Sequence, residues 1–387
     1  MIGDALAGVR VIALEQAVSM PFCTLLLASL GADVVKIESP SGDVVRGWDD
    51  VVKGLSAGYA AFNAGKRDVK VDAKTPEGLD VLRRLATSAD VFVENFAPGV
   101  ATRLGVGPEA LRAEDPALIY CSLSGYGQDG PYRDVKAYDL LVQGESGLLL
   151  TNGTADDPAK VGIPITDQIA GIHAALAIVA ALRRREQTGE GAYLDVSMLE
   201  SAAFWLAYYP QRFWQLGEEP PRSGMRHQYL SPYGPFAAAD GRYINVVVAS
   251  DADWRRFREA LGDPVWAADA RFDTVAGRAQ ARAELDGLVE DAVRAAPAAH
   301  WAERLASVGL PFGYVRTIGE VLDHPQLAAR GLFAEVDSPV GPLPLVRFPL
   351  GDAPGPLPGH GEHTDAVLAE VGYSESEISE LRAKGIV

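Results

Sequence analysis

The sequence predicts an α/β fold in which a largely parallel sheet is covered by helices on both faces. Strands of nearly continuous apolar residues alternate with helices from the start of the chain, as VRVIAL (Val9–Leu14), PFCTLLLASL (Pro21–Leu30) and DVVKIE (Asp33–Glu38). Strands buried on both faces have this composition, and a strand, helix, strand order joins parallel neighbours. Two further apolar strands are predicted at DVFVE (Asp90–Glu94) and ALIYCSL (Ala117–Leu123).

The length of the chain predicts two domains. With 387 residues it exceeds the size at which a single hydrophobic core usually stops growing. A change in composition at GEEPPRSGMR (Gly217–Arg226) marks a linker, because proline, glycine and charged residues concentrate there. A strand hairpin, SPYGPFAAADGRYINVVV (Ser231–Val248), and amphipathic helices follow. We therefore assign residues 1–215 to a large domain, 216–227 to a linker and 228–318 to a small α/β domain.

The composition narrows the possible ligands. Hydrophobic residues make up 48% of the chain and charged residues 22%, as in an ordinary globular protein, and the net charge is −17. Such a charge disfavours binding to nucleic acid or to an anionic membrane. No apolar run reaches the length needed to span a bilayer, and no basic and apolar signal segment begins the chain, so we expect a cytoplasmic protein. An anionic ligand would need a local cluster of cations or backbone amides.

Cysteine and glycine usage excludes several kinds of site. The two cysteines, Cys23 and Cys121, stand in apolar contexts, which favours buried thiols over a disulfide. No clustered cysteines or histidines have the spacing of a metal site. The loop Gln16–Pro21 follows the first strand, where open α/β sheets bind ligands, yet it lacks the glycine spacing of a dinucleotide site. NAD and FAD are therefore disfavoured.

The stretch VGIPITDQIAGIHAALAIVAALRRR (Val161–Arg185) predicts a central helix with Asp167 at its N-terminus. Apolar residues recur there at steps of three and four, which predicts that one side is buried: Ile169, Ile172, Leu176, Val179 and Leu182. Glycine and alanine residues form a small-residue surface that lets another backbone approach closely. By periodicity alone, the favoured interpretation of Asp167 is a carboxylate that satisfies free N–H groups at a helix start.

The same stretch, followed by TGEGAYLDVSMLES (Thr188–Ser201), resembles the centre of the family III CoA-transferases, also called the CaiB-BaiF family, the group that contains formyl-CoA transferase. NFAPGVATRLGV (Asn95–Val106) and GDVVRGW (Gly42–Trp48) resemble further motifs, and the resemblance covers nearly the whole chain in order. It implies a Rossmann-like large domain to which residues 319–387 return, and two chains interlocked as an obligate homodimer.

The resemblance implies roles for individual residues. Asp167 matches the nucleophile of the family. The positions that match CoA contacts are Ala17, Val18, Val71, Lys74, Asn95, Arg103, Lys136 and Tyr138. Lys74 ends a run of cations that could equally be a solvated surface. Trp48 and Tyr59 match positions beside the acyl pocket, with packed aromatic residues as the equal alternative. Arg46, Arg226 and His227 are candidates to hold a second carboxylate, with a surface role as the alternative.

The chemistry implied by the resemblance keeps the energy of the thioester in covalent form. Asp167 would attack an acyl-CoA to give a mixed anhydride, and the released thiolate would then form an aspartyl-CoA thioester. We expect the helix N-terminus to favour the ionised form of Asp167. No metal ion and no cofactor beyond the CoA substrate is expected.

The acyl substrate and two alternative functions stay open at this point. The segment GMRHQYLSPYGPF (Gly224–Phe236) and the lack of a tetraglycine run resemble relatives that act on dicarboxylates of four or five carbons, such as the mesaconyl-CoA transferases. An α-methylacyl-CoA racemase is the first alternative, although that enzyme carries a histidine where this chain has Tyr138. A CoA-binding module without catalysis is the second.

Overall fold

The computed structural model describes residues 2–387, which form two compact units. The first unit comprises the residues up to Leu148, Val161–Pro210 and Gln326–Val387, and the second comprises Leu149–Lys160 and Gln211–Pro325. The segments predicted as the linker and the small domain, residues 216–227 and 228–318, both lie in the second unit. That unit also contains Leu149–Lys160, which the sequence analysis placed in the large domain.

The first unit is built on a six-stranded sheet in which every neighbouring pair is parallel, so the predicted α/β class is confirmed. The strands are β1 Arg10–Leu14, β2 Asp33–Glu38, β3 Arg67–Lys70, β4 Val91–Glu94, β5 Ile119–Ser124 and β6 Ala192–Ser197. Their order is β3-β2-β1-β4-β5-β6, so the direction of winding reverses between β1 and β4. In open α/β sheets, ligands bind beyond the strand carboxyl ends at such a reversal.

Helices cover both faces of this sheet. In chain order the helices up to residue 216 are α1 Ser19–Ser29, α2 Ala57–Asn63, α3 Pro76–Ala86, α4 Val100–Arg103, α5 Pro108–Glu114, α6 Asp139–Glu145, α7 Ile165–Thr188, α8 Met198–Trp205 and α9 Tyr208–Leu216, of which α9 continues into the second unit. The apolar and aromatic segment Met198–Leu216 forms two helices, because α8 ends before α9 begins. Pro210 explains the break: inside a continuous helix its ring would clash with the carbonyl of Leu206, whereas in the first turn of α9 it is tolerated.

The central helix α7 buries its small residues rather than all of its large ones. Gly171 and Ala174 face α1, and a Cβ atom added at Gly171 would lie 2.7 Å from the carbonyl oxygen of Ser19. The predicted close approach of another backbone is therefore confirmed. Ile172 and Leu176, which the periodicity assigned to the buried side, are 39% and 66% exposed in this chain.

Helix α7 is also the one helix in residues 2–387 that is long and apolar enough to cross a membrane by length and composition. The expectation that no apolar stretch reaches that length is wrong in this respect. Half of the apolar window is buried inside the structure, as the core helix of a folded domain would be.

The second unit has a core of its own beneath an antiparallel sheet. Its elements are β7 Tyr233–Ala237, β8 Tyr243–Val247, α10 Asp251–Leu261, α11 Val275–Gln280, α12 Arg282–Val293, α13 Ala298–Ser307, β9 Phe312–Tyr314 and α14 Ile318–Leu322. The predicted hairpin is confirmed as β7 and β8. Helices α11 and α12 are separated by a break at Ala281. Trp254 and Phe257 are fully buried in this core.

The C-terminal segment packs on the edge strand β3. Its elements are α15 Pro325–Ala329, β10 Phe333–Val336, β11 Leu343–Val346, α16 Thr364–Glu370 and α17 Glu375–Ala383. The backbone N–H of His363 donates to the carbonyl of Asp68 at 2.9 Å, and Val367 and Leu368 share a core with Val69. The tail thereby covers an edge that would otherwise present unpaired backbone groups.

Both cysteines are free and buried, as predicted. Burial raises the pKa of the Cys23 and Cys121 thiols, because the low-dielectric interior disfavours a thiolate. Neither thiol is therefore activated as a nucleophile.

Candidate active site

Asp167 is the third residue of α7, and the turn that carries it is fixed by the residue before it. Thr166 is fully buried, and both its backbone N–H and its hydroxyl donate to Oδ1 of Asp139 at 2.8 Å. The second oxygen of Asp139 accepts from Gln143 at 2.7 Å, and Gln143 in turn accepts from the backbone N–H of Val161 at 3.0 Å. The N-terminus of α7 is therefore anchored on α6.

The carboxyl of Asp167 titrates near neutrality. Burial, reinforced by the negative charge of Asp139, raises the pKa of Asp167 to about 7, while a hydrogen bond from the Ser19 hydroxyl acts in the opposite direction. The expectation that the helix N-terminus favours the ionised form is therefore wrong in its net effect. Loss of hydration and a like charge outweigh the helix dipole.

Asn95 connects the loop after β1 to this carboxyl. Its Oδ1 accepts from the backbone N–H of Gln16 at 3.0 Å, and its Nδ2 donates to the Gln16 carbonyl at 2.9 Å and to the Ser19 hydroxyl at 3.1 Å. The Ser19 hydroxyl is thus free to donate to Asp167. Asn95, a predicted CoA contact, uses both of its N–H donors in hydrogen bonds within the protein. It therefore positions the loop after β1.

A cavity of about 490 Å³ lies at the carboxyl edge of the sheet and brings together four of the predicted CoA-binding residues. Its polar lining includes Asn95, Arg103, Lys136 and Tyr138, together with Gln16 and Arg133. The cavity is at the reversal of strand order where the topology predicts a ligand. Three cationic side chains at one opening in a chain of net charge −17 form a site suited to a phosphorylated ligand.

Arg133 is the cavity residue that the sequence analysis missed. It stands in a glycine-rich loop, SGYGQDGPYRD, that follows β5, and it lines the cavity beside Lys136. Its only ion pair in residues 2–387 is a long contact of 3.6 Å to the neighbouring Asp134. The signal that could have identified it was a cation after a strand end in a strongly acidic chain.

The other predicted CoA contacts lie outside the lining of this cavity. Val71 is buried just beyond β3, where its N–H donates to the Glu38 carbonyl. Lys74 is exposed in the loop that follows. Ala17 and Val18 form the corner between Gln16 and α1, so their backbone borders the site.

The predicted acyl-pocket residues Arg46 and Tyr59 are engaged with each other and with buried carboxylates. Arg46 donates to both oxygens of Glu38 at 2.7 and 3.0 Å, to Asp68 at 3.2 Å and to the Tyr59 hydroxyl at 2.5 Å, and it lies over the Tyr59 ring. Tyr59 is only 1% exposed, so it is a packed aromatic residue, which was the alternative to a place in the acyl pocket. Trp48, in contrast, is 56% exposed and available for contact.

The carboxyls beside Arg46 also account for the one possible metal-ligand group in residues 2–387, formed by Glu38, Asp68 and His360. Burial, reinforced by the neighbouring carboxylate of Glu38, raises the pKa of Asp68 to about 8, whereas Asp68, Arg46 and Lys36 together hold the pKa of Glu38 below its usual value, so that Glu38 stays ionised. One proton and the guanidinium of Arg46 neutralise this pair. The group therefore has no excess negative charge that would hold a cation.

Arg226 and His227 lie in the second unit and differ in their availability. The guanidinium of Arg226 is paired with Glu290 at 2.5 Å and with Asp286 at 3.3 Å, so it serves that unit's interior. His227 lines a cavity of about 540 Å³, and its Nδ1 accepts from two backbone N–H groups at 3.1 Å. The neutral ring therefore carries its hydrogen on Nε2. Burial and Arg282 lower the pKa of His227.

Comparison with known proteins agrees with this architecture. The chain is 36% identical to the succinate–glutarate CoA-transferase of Agrobacterium fabrum over 95% of each chain, and 32% identical to the human succinyl-CoA:glutarate CoA-transferase over 99% of this chain and 90% of the relative. The structure of a CaiB/BaiF family protein from Brucella suis is similar, with a TM-score of 0.84 and 34% identity over 95% of this chain and 99% of that one. Residues 6–364 match CoA-transferase family III, and the chain belongs to this family of enzymes.

Proposed function

We propose that this CoA-transferase moves CoA from an acyl-CoA donor to a small dicarboxylic acid, with Asp167 as the nucleophile. The observation that carries the proposal is the position of Asp167 at the start of α7, where Ser19, the first residue of α1, acts on its pKa and is bonded to Asn95 of the cationic cavity. The relatives named as succinate–glutarate and succinyl-CoA:glutarate CoA-transferases support a dicarboxylate acceptor.

The proposed reaction uses two covalent intermediates. An oxygen of ionised Asp167 attacks the thioester carbonyl, the C–S bond breaks, and a mixed anhydride and CoA thiolate result. The thiolate attacks the aspartyl carbonyl, which releases the donor acid as its carboxylate and leaves an aspartyl-CoA thioester. The acceptor carboxylate attacks this thioester, and the thiolate returns to the acceptor's acyl carbon. Asp167 is regenerated without the addition or loss of water, and the sequence requires no metal or redox cofactor.

The electrostatics around Asp167 suit a group that alternates between a carboxylate and an acyl derivative. Asp139 and burial disfavour the negative charge on Asp167, and both acylated intermediates remove that charge. The same surroundings thereby stabilise the covalent states relative to the free carboxylate. The anhydride must also be protected from water, because its hydrolysis would lose the energy of the thioester.

In this proposal the cavity at the sheet edge binds CoA. Arg103, Arg133 and Lys136 pair with the phosphate groups, and Tyr138 lies beside them on the cavity wall. Ala17 and Val18 offer backbone groups at the adjoining corner. Lys74 and Val71, outside this cavity, remain proposed contacts by family resemblance alone.

For the acyl group we propose Trp48 as a contact. His227, in the second unit, remains a proposed donor to a second carboxylate by family resemblance. The exposed Nε2–H of His227 is a neutral donor, whereas Arg226 is already paired with two carboxylates and Arg46 with Glu38. A contact with Arg46 or Arg226 would require those buried ion pairs to break.

We further propose that the chain functions as a homodimer in the cytoplasm. Four large apolar side chains of α7 and α8 are at least 39% exposed: Ile172, Leu176, Phe204 and Trp205. An apolar surface of this kind on helices is typical of an interface. Sedimentation analysis should give twice the chain mass, and a monomer at micromolar concentration would refute this part of the proposal.

The experiment that tests the function is a search for the covalent intermediate. Wild-type protein mixed with succinyl-CoA or glutaryl-CoA, without acceptor acid, should show the mass of CoA added to the peptide that contains Asp167. The variant Asp167→Ala should bind CoA yet show no adduct and no exchange. Absence of any adduct with exchange retained in the variant would refute the mechanism. Deuterium uptake at the substrate α-carbon from heavy water would instead indicate a racemase.

A further inference from the structure

The loop between β1 and α1 turns through a residue in an unfavourable conformation. Ala17 has a φ of 61°, in the left-handed region that residues with a Cβ atom rarely adopt. Two other non-glycine residues in residues 2–387, Lys53 and Asp263, share this feature, and both are exposed. Ala17 is half-buried beside the candidate site, so contacts from elsewhere in the chain must hold it there.

Two side chains supply those contacts, one on each side of the corner. Asn95 bonds to both backbone polar groups of Gln16, as described above. Asp43 accepts at its Oδ1 from the backbone N–H of Ala17 at 3.0 Å and from that of Val45 at 3.1 Å. The family resemblance assigned roles to other residues of the motif around Asp43, but none to Asp43 itself.

Asp43 is itself fixed by a buried charge cluster, which we define as Glu15, Lys36, Asp43 and Lys66. Lys36 donates to Oδ2 of Asp43 at 2.7 Å and lies 3.6 Å from Glu15, which pairs with Lys66 at 2.8 Å. All three of these ion pairs have fully buried side chains. Such pairs are poor sources of stability, because apolar residues of similar volume are often as favourable. Glu15 directly precedes Gln16 in the chain. The cluster therefore holds the corner at two points, through Glu15 next to Gln16 and through Asp43 bonded to Ala17.

We infer that Asp43 is a positioning residue that holds Ala17 in its left-handed conformation, so that Gln16 lines the cavity and the Ser19 hydroxyl meets Asp167. The inference rests on the proposed function, because its consequence is a nucleophile held in a productive geometry. Without the hydrogen bond from Ala17, the corner relaxes toward an ordinary backbone conformation. Gln16 and Ser19, on either side of it, then lose their fixed positions.

The first test compares two variants in a background that keeps the cluster neutral. Lys36→Met combined with Asp43→Asn removes one cation and one carboxylate but keeps an oxygen that can accept from Ala17. Lys36→Met combined with Asp43→Ala removes that oxygen as well. We expect kcat for CoA exchange to be at least tenfold lower in the second protein, with the Kd for free CoA within threefold in the two. Addition of Ala17→Gly to the second protein should recover part of the loss, because glycine adopts this conformation without a steric cost.

A second pair of variants leaves the buried charge cluster intact. It tests whether exchange depends on the left-handed conformation at residue 17, even if the first pair does not fold. Ala17→Val and Ala17→Asn add side chains of similar bulk, but asparagine tolerates the left-handed region and a β-branched residue does not. We expect kcat of Ala17→Val to be at least tenfold below that of Ala17→Asn. Equal kcat within either pair of folded proteins, with wild-type exchange intact, would overturn the inference alone. Absence of exchange in the wild type would refute the proposed function instead.

Discussion

Oδ1 of Asp139 accepts two hydrogen bonds from Thr166, one from its backbone N–H and one from its hydroxyl, each 2.8 Å long. Thr166 immediately precedes Asp167. The contact therefore fixes the direction of the first turn of α7, and it brings a second carboxylate close to Asp167. Asp139 thus both positions Asp167 and supplies the negative charge beside it.

The two roles of Asp139 can be separated by the pH dependence of exchange. Asp167 is reactive when ionised, so the rate should rise with pH through its pKa of about 7. Asp139→Asn removes a like charge and should shift the midpoint of this rise down by roughly one pH unit. Thr166→Val keeps the charge but loses one hydrogen bond, so kcat should fall while the midpoint of the rise stays unchanged. An unchanged midpoint in Asp139→Asn would contradict this account. The measurement is kcat/KM from pH 5 to 9.

Asp167 should reduce the stability of the fold at neutral and alkaline pH. Asp167 has a pKa of about 7 when folded and near 3.8 when unfolded, so the unfolded chain releases its proton first and the folded state loses stability as pH rises from about 4 to about 7. Asp167→Asn cannot ionise. We expect the variant to exceed the wild type in unfolding free energy by roughly 1–3 kcal/mol at pH 8. The difference should shrink toward pH 4, as measured by urea unfolding, and a variant less stable than wild type at pH 8 would count against the raised pKa.

Arg133 should contribute to CoA affinity. Arg133→Ala removes a cation from the cavity, and we expect the Kd for CoA to rise about tenfold, with kcat at saturation changed by less than about threefold. Isothermal titration at two salt concentrations should show a weaker salt dependence in the variant. Arg271→Ala, which removes an exposed arginine of the second unit, is the control. Equal affinity in both variants would exclude Arg133 from the phosphate site.

Arg46 should act on stability rather than on substrate binding. Arg46→Met leaves Glu38 and Asp68 buried without their counter-ion, so the unfolding free energy should fall by about 3 kcal/mol at pH 8. The loss should be smaller at pH 6, because Asp68, with its pKa raised to about 8, is then protonated and only Glu38 is left without a counter-ion. Arg46→Lys restores the charge and should recover part of the stability. An unchanged stability together with a higher KM for the acceptor acid would instead identify Arg46 as a substrate contact.

The close contact between α7 and α1 can be tested with two glycines that both lie inside helices. Alanine is favoured over glycine in a helix interior by about 1 kcal/mol, so Gly287→Ala, which adds a Cβ in open space, should raise the melting temperature. Gly171→Ala places the same atom 2.7 Å from the Ser19 carbonyl and should lower it. It should also lower kcat, because Ser19 contacts Asp167. Stabilisation by both substitutions would show that the helices can separate at little cost.

The sequence by itself determined the class of the fold and the place of Asp167 among its helices and strands. Near-continuous apolar strands and intervening helices leave few alternatives to a parallel sheet covered on both faces. A strand that is apolar on both faces and a helix that is apolar on one side each need a packed neighbour to cover those surfaces. The same reasoning put Asp167 at a helix start, where the structure has it. These properties are local in the chain, and a local pattern is sufficient to predict them.

Tertiary structure alone decided which partners the functional side chains have. Periodicity identified the apolar residues of α7 but not that α1 would pack on its glycine and alanine side, which leaves Leu176 exposed. The pairing of Arg226 with Glu290 joins residues 64 positions apart, and Arg133 lines the same cavity as Arg103 of another segment. The pKa of Asp167 likewise depends on Asp139 and on burial. Charges act through space, so their effects follow from the folded neighbourhood and not from the order of residues.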